Sequence, residues 1–289
     1  MSNPKHQVVI TGGTGGIGYQ SALGIAKTGA YVLITGRNLK RGERAKEQLI
    51  IDSNNENIEL VIGDLSSIEG IDLLAAAILE TVKHVDVLIN NAGYLGNDYS
   101  KSVDNLEMHF AVNVLGPYRL TNALLPALKN TEKARVLNIT GGDKPSSIDP
   151  TNLQAEKGFK GLMTYTHSKS IMEALSLHMS KELADKGITV NILFPGRAST
   201  VMTRSLTMNG LPGMMKLMLP FFRLFFKEDG GKSAAHAARS TIWGATTQEL
   251  DGVTGLYFDT NMKEQSLHTT AYNNMIQNAI IELINSITT

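Results

Sequence analysis

The sequence VVITGGTGGIG at residues 8–18 decides the fold of this chain. It begins as a short apolar, β-branched run typical of a buried strand and continues as the glycine-rich turn TGGTGGIG (residues 11–18), after which a helical pattern begins. Glycines let the backbone turn sharply and approach a ligand without a Cβ in the way. The helix N-terminus then offers free N–H groups and a positive dipole end. The glycines alone would also suit a plain tight turn, but between a strand and a helix they predict a pyrophosphate-binding site.

Outward from this turn, short apolar segments alternate with longer segments of helical periodicity. The predicted strands cover residues 8–11, 31–35, 58–62, 85–89, 135–139, 189–194 and 255–258. The predicted helices cover residues 18–28, 41–51, 71–82, 106–128, 163–186, 231–241 and a C-terminal segment. This alternation predicts an α/β fold, a single doubly wound (Rossmann) domain with a parallel sheet and helices on both faces. No repeat or Pro/Ser-rich linker marks a second domain, so we assign residues 1–289 to one domain.

The composition excludes several classes of function. The 27 basic and 27 acidic residues balance, so we expect no nucleic-acid partner. There are no cysteines, which excludes disulfides, thiolate metal sites and a cysteine nucleophile. The histidines lack the spacing of metal ligands, so we expect no metal. The first residues lack the apolar core of a signal peptide and no apolar run approaches about 18 residues, so we expect no transmembrane span and a cytoplasmic protein.

Four further motifs follow the glycine-rich turn. They are NNAG at residues 90–93, VNVLG at 112–116, YTHSK at 165–169 and PGRAST at 195–200. With the glycine-rich turn, and in the same order along the chain, they resemble the fingerprint of the short-chain dehydrogenase/reductase family. The stretch NLQAEK at residues 152–157 and the YxHSK signature are similar to the retinol-dehydrogenase-like branch of that family.

The resemblance implies an oxidoreductase that moves a hydride between a nicotinamide dinucleotide and a carbonyl or alcohol carbon. It implies that Tyr165 is the general acid/base, that Lys169 holds the nicotinamide ribose and that Asn113 anchors a water in a proton relay. It also implies that Asp64, at the end of the third strand, contacts the adenine. The full set of predicted cofactor-binding residues is Gly12, Thr14, Gly15, Gly16, Ile17, Gly18, Arg37, Asp64, Leu65, Asn91, Ala92, Gly93, Tyr165, Lys169, Pro195, Gly196 and Thr200.

The spacing of Tyr165 and Lys169 supports a shared role in proton transfer. Four residues apart on a predicted helix, the two side chains lie on one face. Reduction of a carbonyl needs a proton for the developing alkoxide, and a free tyrosine with a pKa of about 10 is too weakly ionised to serve well in the reverse direction. We expect the Lys169 ammonium, together with the positive nicotinamide, to lower the pKa of the phenol. Taken alone, such a pair would more often be a surface helix pair.

The end of the second strand indicates which dinucleotide is bound. NAD-specific sites place a carboxylate there, where it accepts from the ribose 2′-OH. Here the strand ends TGRN at residues 35–38, without an acidic residue. Arg37 can bind a 2′-phosphate bidentately, Thr14 could add a hydroxyl donor, and Lys40 or Arg41 could add positive field. Arg37 could instead be a solvated charge at a helix entry. We predict NADP(H).

One position departs from the family pattern. The serine that orients the substrate carbonyl in the family falls here on Gly141, which has no side chain to donate. Thr140 could turn its hydroxyl into the site, Ser146 or Ser147 could reach back from the following loop, or Tyr165 could be the sole donor. We rank Thr140 first as the fourth catalytic residue. The same departure supports a rival hypothesis, a cofactor-binding sensor or scaffold with weak or no turnover.

The substrate side is predicted to be apolar. Residues 201–230 are rich in Met and Phe, including Met202, and resemble the family's mobile lid over the substrate. A core helix, a subunit contact or a peripheral membrane contact through residues 211–227 are the alternatives for this segment. We expect a fairly large apolar carbonyl or alcohol as substrate and leave its identity and the direction of the reaction open. The resemblance implies an oligomer, and a homodimer is the state we expect.

Overall fold

A computed structural model of the protein describes residues 6–141, 146–207, 209–211, 227 and 229–288. Within these residues one sheet has eight strands. In chain order they are β1 (Gln7–Ile10), β2 (Tyr31–Gly36), β3 (Ile58–Ile62), β4 (Val87–Asn90), β5 (Arg135–Ile139), β6 (Thr189–Leu193), β7 (Tyr257–Phe258) and β8 (Glu264–Gln265). The α-helices are α1 (Gly16–Ala26), α2 (Leu39–Ser53), α3 (Ile68–Thr81), α4 (Met108–Phe110), α5 (Gly116–Ala123), α6 (Leu125–Leu128), α7 (Gly161–Ala184), α8 (Val201–Arg204), α9 (Lys232–Thr246) and α10 (Asn274–Thr288).

The strand order is β3-β2-β1-β4-β5-β6-β7-β8. The pairs from β3 to β7 are all parallel, and β8 alone runs antiparallel to its neighbour β7. The order reverses between β1 and β4, and such a switch point leaves a crevice at the carboxyl ends of the strands. The prediction of one doubly wound α/β domain is confirmed. The sequence did not predict β8, because its two exposed residues carry no apolar alternation.

The hydrophobic core lies on both faces of the sheet, as a covered parallel sheet requires. Successive side chains of β1 point to opposite faces, so Val8 and Ile10 join one buried cluster and Val9 joins the other. The first cluster includes residues of α1, α2 and α9, and the second includes residues of α3, α5, α7 and α10. The crevice therefore lies at the edge of a sheet whose two faces are both covered by buried side chains.

The segment predicted as one helix over residues 106–128 is broken into shorter pieces. Helices α4, α5 and α6 are interrupted by a π-helical turn at Ala111–Leu115 and a break at Leu124. Pro117 and Pro126 lie in the first turns of α5 and α6 and have no N–H. Pro117 thus cannot donate to the carbonyl of Asn113, the acceptor in a regular α-helix, and the chain widens there. Such π-turns are frequent at functional sites.

Candidate active site

A cavity of about 1340 Å³ opens at the carboxyl ends of the strands, beside the switch point. It brings together the predicted cofactor-binding residues, which come from six separate stretches of the chain. Those that line it are Gly12, Thr14, Gly15, Gly16, Ile17, Gly18, Arg37, Asp64, Leu65, Asn91, Ala92, Gly93, Tyr165, Lys169, Pro195, Gly196 and Thr200. Thr140 lines it as well, and Asn113 lies outside its wall.

The glycine-rich turn is held against the end of β4. Gly12 and Gly16 have φ angles of 67° and 57°, in the left-handed region that favours glycine. A Cβ at Gly18 would overlap the carbonyl oxygen of Gly12 and the side chain of Asn91. The Thr11 hydroxyl accepts hydrogen bonds from the backbone N–H groups of Asn91 and Ala92, at 3.0 Å each. This narrow cradle at the N-terminus of α1 fits the pyrophosphate of a dinucleotide.

Two arginines lie at the end of the cavity next to β2. Arg37 and Arg41 line it together with Thr14 and Asn38, and no acidic side chain occupies the end of β2. Arg41 donates from Nε to the carbonyl oxygen of Thr14 at 3.3 Å, and its guanidinium lies where a Cβ on Gly15 would be. Sequence reasoning had given Arg41 only a contribution to the positive field. Arg41 lies three residues after Asn38, the N-cap of α2, which is about one helical turn. This spacing was the sequence signal that could have indicated its position beside the glycine-rich turn.

Tyr165 and Lys169 lie on the side of α7 that faces the cavity, and both are buried. Lys169 donates from Nζ to the carbonyl oxygen of Ile139 at 2.9 Å, and Nζ lies 6.0 Å from the centre of the Tyr165 ring. Burial lowers the pKa of Lys169 to about 8, against an opposing effect of the Glu173 carboxylate. The helix thus presents a phenol and an amine to one space, as the spacing predicted.

The pKa of Tyr165 moves in the direction opposite to the one expected from the sequence. Burial raises it well above its usual value, and the negative charge of Glu173 adds to the rise. Lys169 alone does not lower this pKa, because the loss of water around the phenolate outweighs its charge; the effect of a bound nicotinamide stays a prediction. Tyr165 therefore keeps its proton at neutral pH.

Asn113 lies in the π-turn behind the cavity wall and is fully buried. Its Oδ1 accepts from the backbone N–H of Tyr94 at 2.7 Å, and its Nδ2 donates to the Tyr94 carbonyl at 3.0 Å and to the Ser168 hydroxyl at 2.9 Å. These bonds join the segment after β4 to α7. The side chain thus braces the site, and its part in a proton relay stays a prediction.

The space that a side chain at position 141 would fill is occupied by the hydroxyl of Tyr165. A Cβ on Gly141 would overlap the Tyr165 hydroxyl, so the absence of a side chain there provides the space that the phenol uses. The Thr140 hydroxyl donates a hydrogen bond to Oε1 of Glu173, and its role as a donor to the substrate stays a prediction. Ser146 lines the cavity with its hydroxyl 3.2 Å from that of Ser170, whereas Ser147 is exposed and lies outside the cavity wall.

Sequence reasoning missed two features of the site. The first is Glu173, a buried carboxylate one helical turn beyond Lys169, which its spacing in the chain could have revealed. The second is an apolar cluster around the ring of Tyr165, which no motif marks. Its other members are Leu95, Leu162, Met202 and Leu206.

Several further predictions concern residues that the structure covers only in part. Of the predicted lid at residues 201–230, Val201–Arg204 forms α8, capped by the Thr200 hydroxyl, and most of the Met- and Phe-rich part lies outside the described residues. The predicted membrane contact at 211–227 lies there too, except for its first and last residues. None of the helices that the structure describes combines the length and apolar character needed to cross a bilayer. In the described ranges no three His, Asp or Glu side chains are grouped to hold a metal ion.

Comparison with known proteins is consistent with this arrangement. The family model described as short chain dehydrogenase matches residues 6–210. The chain is 32% identical to retinol dehydrogenase 13 of Homo sapiens, over 89% of this chain and 76% of that protein. It is 30% identical to polyprenol dehydrogenase of Homo sapiens, over 95% of this chain and 82% of that protein. The solved structure of the Pseudomonas aeruginosa RhlG/NADP active-site complex superposes with a TM-score of 0.63 at 26% identity, over 89% of this chain and 97% of that one.

These matches cover the parts of the chain that build the cavity. The family model spans the glycine-rich turn, the end of β4 and the whole of α7, including the YTHSK motif. The relatives extend the likeness beyond that range to most of the chain. The chain therefore belongs to the short-chain dehydrogenase/reductase family, in its retinol-dehydrogenase-like branch, and is an oxidoreductase that acts on alcohols or carbonyls.

Proposed function

We propose that this protein is an NADP(H)-dependent oxidoreductase that interconverts a carbonyl and an alcohol on a fairly large apolar substrate, with Tyr165 as the general acid/base. One observation carries the proposal: the Tyr165 hydroxyl and the Lys169 amine line the same cavity as the glycine-rich turn. A dinucleotide whose pyrophosphate lies at the N-terminus of α1 would extend along this cavity toward α7. When bound, it supplies or accepts the hydride.

The protein's own part in the reaction is the movement of a proton. Burial keeps the proton on Tyr165, so its hydroxyl can donate to the oxygen of a carbonyl substrate as that oxygen gains negative charge. Lys169 lies beside Gly93, where its remaining N–H groups can hold the nicotinamide ribose. Asn113 fixes the segment after β4, and we keep for it the water-anchoring role. Thr140 is the proposed second donor to the substrate oxygen, a role for which its single hydroxyl proton would have to turn away from the Glu173 carboxylate. A buried, protonated phenol favours reduction as the direction that the site catalyses best.

The preference for NADP(H) rests on charge at the end of β2. Arg37 and Arg41 supply two guanidinium groups to that end of the cavity, and a 2′-phosphate there would find no carboxylate to repel it. The Thr14 hydroxyl lies on the same wall. Asp64 and Leu65, farther along, suit the adenine.

The apolar character of the substrate rests on the cluster around the Tyr165 ring. A substrate carbonyl at the hydroxyl would lie in a cavity that is also lined by the other members of this cluster, Leu95, Leu162, Met202 and Leu206. The names of two relatives denote apolar alcohols, retinol and polyprenol. We propose that residues 201–230 form the substrate lid, with a peripheral membrane contact through 211–227 as the alternative for that segment. A homodimer and a cytoplasmic location complete the proposal, and the cysteine-free chain suits that reducing compartment.

A sensor or scaffold that binds the cofactor without turnover is the second candidate. The observation that favours it is Gly141, because the site there offers no side-chain donor and the Tyr165 hydroxyl fills the space. Against it stands the buried Tyr165–Lys169 pair, which nucleotide binding alone would not need.

A single-turnover experiment separates the two candidates. Purified protein loaded with NADPH is mixed with a panel of apolar aldehydes and ketones, and the loss of NADPH absorbance is followed in the wild type and in Tyr165→Phe. We expect turnover in the wild type and a loss of about 10²- to 10⁴-fold in the variant, with NADPH affinity retained. NADPH binding without oxidation across the panel would favour the sensor. Full turnover in Tyr165→Phe would remove Tyr165 from the chemistry.

A further inference from the structure

Helix α7 carries a third ionisable side chain behind the Tyr165–Lys169 pair. Tyr165, Lys169 and Glu173 are spaced by four residues along α7, so they lie on one stripe of the helix, and their exposed fractions are only 8%, 4% and 3%. The stripe faces the carboxyl end of β5, where Thr140 lies. A carboxylate that is not paired is rarely buried this deeply, so its surroundings must explain it.

The two oxygens of Glu173 are in different situations. Oε1 accepts a hydrogen bond from the hydroxyl of Thr140. Oε2 is buried and has no hydrogen-bond partner among the described residues. Burial raises the pKa of Glu173 to about 7, while the Thr140 hydrogen bond and the charge of Lys169 hold it down. Above neutral pH the site therefore contains a carboxylate that Thr140 orients and whose second oxygen has no partner among the described residues.

The titratable groups that Glu173 influences lie on two elements. On α7 they are Lys169 and Tyr165, and on β7 the group is Tyr257. Burial is the largest influence on all three, and the negative charge of Glu173 favours the protonated form of each of them. Lys169, one helical turn away, is the cation whose charge acts on Glu173. In the part of the chain that the structure describes, its Nζ donates one hydrogen bond, to the Ile139 carbonyl.

We propose that Glu173 is a positioning residue for the reaction: its buried carboxylate, oriented by Thr140, is the counterion of Lys169 and keeps the protons on the Lys169–Tyr165 pair. It touches neither substrate nor cofactor and acts through Lys169. The inference rests on the proposed function, because it concerns the proton that Tyr165 delivers. In this proposal the Thr140 hydroxyl orients the Glu173 carboxylate instead of donating to the substrate.

The test replaces the charge and keeps the shape. In Glu173→Gln we expect the alkaline limb of kcat/KM for NADPH-dependent reduction to move down by about one pH unit or more, as loss of a nearby opposite charge predicts. On that limb activity falls about tenfold relative to wild type, because one pKa unit is a factor of ten. Well below pH 7, where the wild-type Glu173 is itself protonated, the two profiles should converge. The matched control is Glu182→Gln, the same change on the same helix at an exposed glutamate that pairs with Lys186; it should leave the profile unchanged.

A double-mutant cycle assigns the role of Thr140. If Thr140 acts through Glu173, then Thr140→Val moves the pH profile part of the way toward that of Glu173→Gln and has no further effect in the Glu173→Gln background. If Thr140 donates to the substrate instead, it costs activity in both backgrounds, by about 10²-fold or more at every pH. Should Glu173→Gln fail to fold, the shift in Thr140→Val alone decides the matter.

NADPH affinity measured by nucleotide fluorescence across the same pH range gives a readout that needs no turnover. As pH is raised, we expect NADPH affinity to decline at a lower pH in Glu173→Gln than in the wild type, because Lys169 loses its proton at a lower pH. A shift in this titration in a protein that reduces no substrate would preserve the counterion role and overturn the proposed function. Turnover in a Glu173→Gln protein whose profiles match the wild type, or are lowered equally at every pH, would overturn the counterion role and leave the proposed function intact.

Discussion

Replacement of Gly141 by alanine is the sharpest test of how the site manages without the family's serine. The new Cβ would overlap the Tyr165 hydroxyl, so either the glycine segment or the phenol must move. The hydroxyl is the far end of a side chain and moves more easily than backbone. The cost in unfolding free energy should therefore be at the low end for overpacking, about 1 kcal/mol.

The catalytic cost should be much larger than the cost in stability. A shift of about 1 Å in a group that must deliver a proton lowers the rate by about 10²-fold. We expect kcat for reduction to fall by about that factor in Gly141→Ala, with little change in the affinity for NADPH, since the glycine-rich turn is untouched. The measurements are steady-state NADPH oxidation and fluorescence titration of NADPH, with the melting temperature as a check on folding.

Gly141→Ser is the matched variant, because it shares the Cβ with Gly141→Ala and adds a hydroxyl donor. We expect it to be faster than Gly141→Ala, and the ratio of the two kcat values measures what the donor contributes. The reasoning would be refuted by a Gly141→Ala protein that keeps kcat within about threefold of wild type, a small fraction of the expected loss. Such a result would mean that the phenol works from a position other than the one it occupies here.

Three further predictions concern the cofactor and the pH dependence. Arg37→Asp should lower the ratio of NADPH to NADH affinity by about tenfold or more, because a charge-assisted hydrogen bond is replaced by repulsion; an unchanged ratio would remove Arg37 from recognition. Gly18→Ala should abolish NADPH binding in a fluorescence titration, because its Cβ meets the backbone of Gly12, and measurable affinity would contradict the assigned cradle. In the wild type, kcat/KM for reduction should fall as pH rises through about 8, where Lys169, whose pKa burial has lowered, gives up its proton; a profile flat to pH 9.5 would count against this role.

Most of the fold could be predicted from local patterns in the sequence. The alternation of β-branched strands and amphipathic helices locates β1 to β7, because each strand buries side chains on both faces and is therefore mostly apolar. The breaks at Pro117 and Pro126 could have been inferred from proline chemistry, yet the helical periodicity of residues 106–128 dominated the prediction. β8 could not be predicted, since only its pairing with β7 makes its two exposed residues a strand.

The site could be predicted as a set of residues but not as an electrostatic environment. Spacing places Tyr165 and Lys169 on one face of a helix, and that holds in any helix. Whether the phenol gains or loses acidity depends on how much water remains around it, which is set by Leu95, Leu206 and other residues distant in the chain. The sequence likewise shows that Gly141 lacks a donor side chain. That the Tyr165 hydroxyl fills the space beside Gly141 can be seen only in the structure.

The stripe on α7 explains why these two kinds of prediction differ. Burying three ionisable groups on one helix lowers stability relative to apolar side chains, which α7 carries at Ile171 and Leu175. Packing therefore does not explain why Tyr165, Lys169 and Glu173 are buried. Ionisable groups that are buried at a cost in stability indicate a functional site. In the proposed function, the two motif residues mark where the proton is transferred. In the further proposal, the buried Glu173 carboxylate behind them influences the pH range over which that proton is present, and Glu173 belongs to none of the sequence motifs.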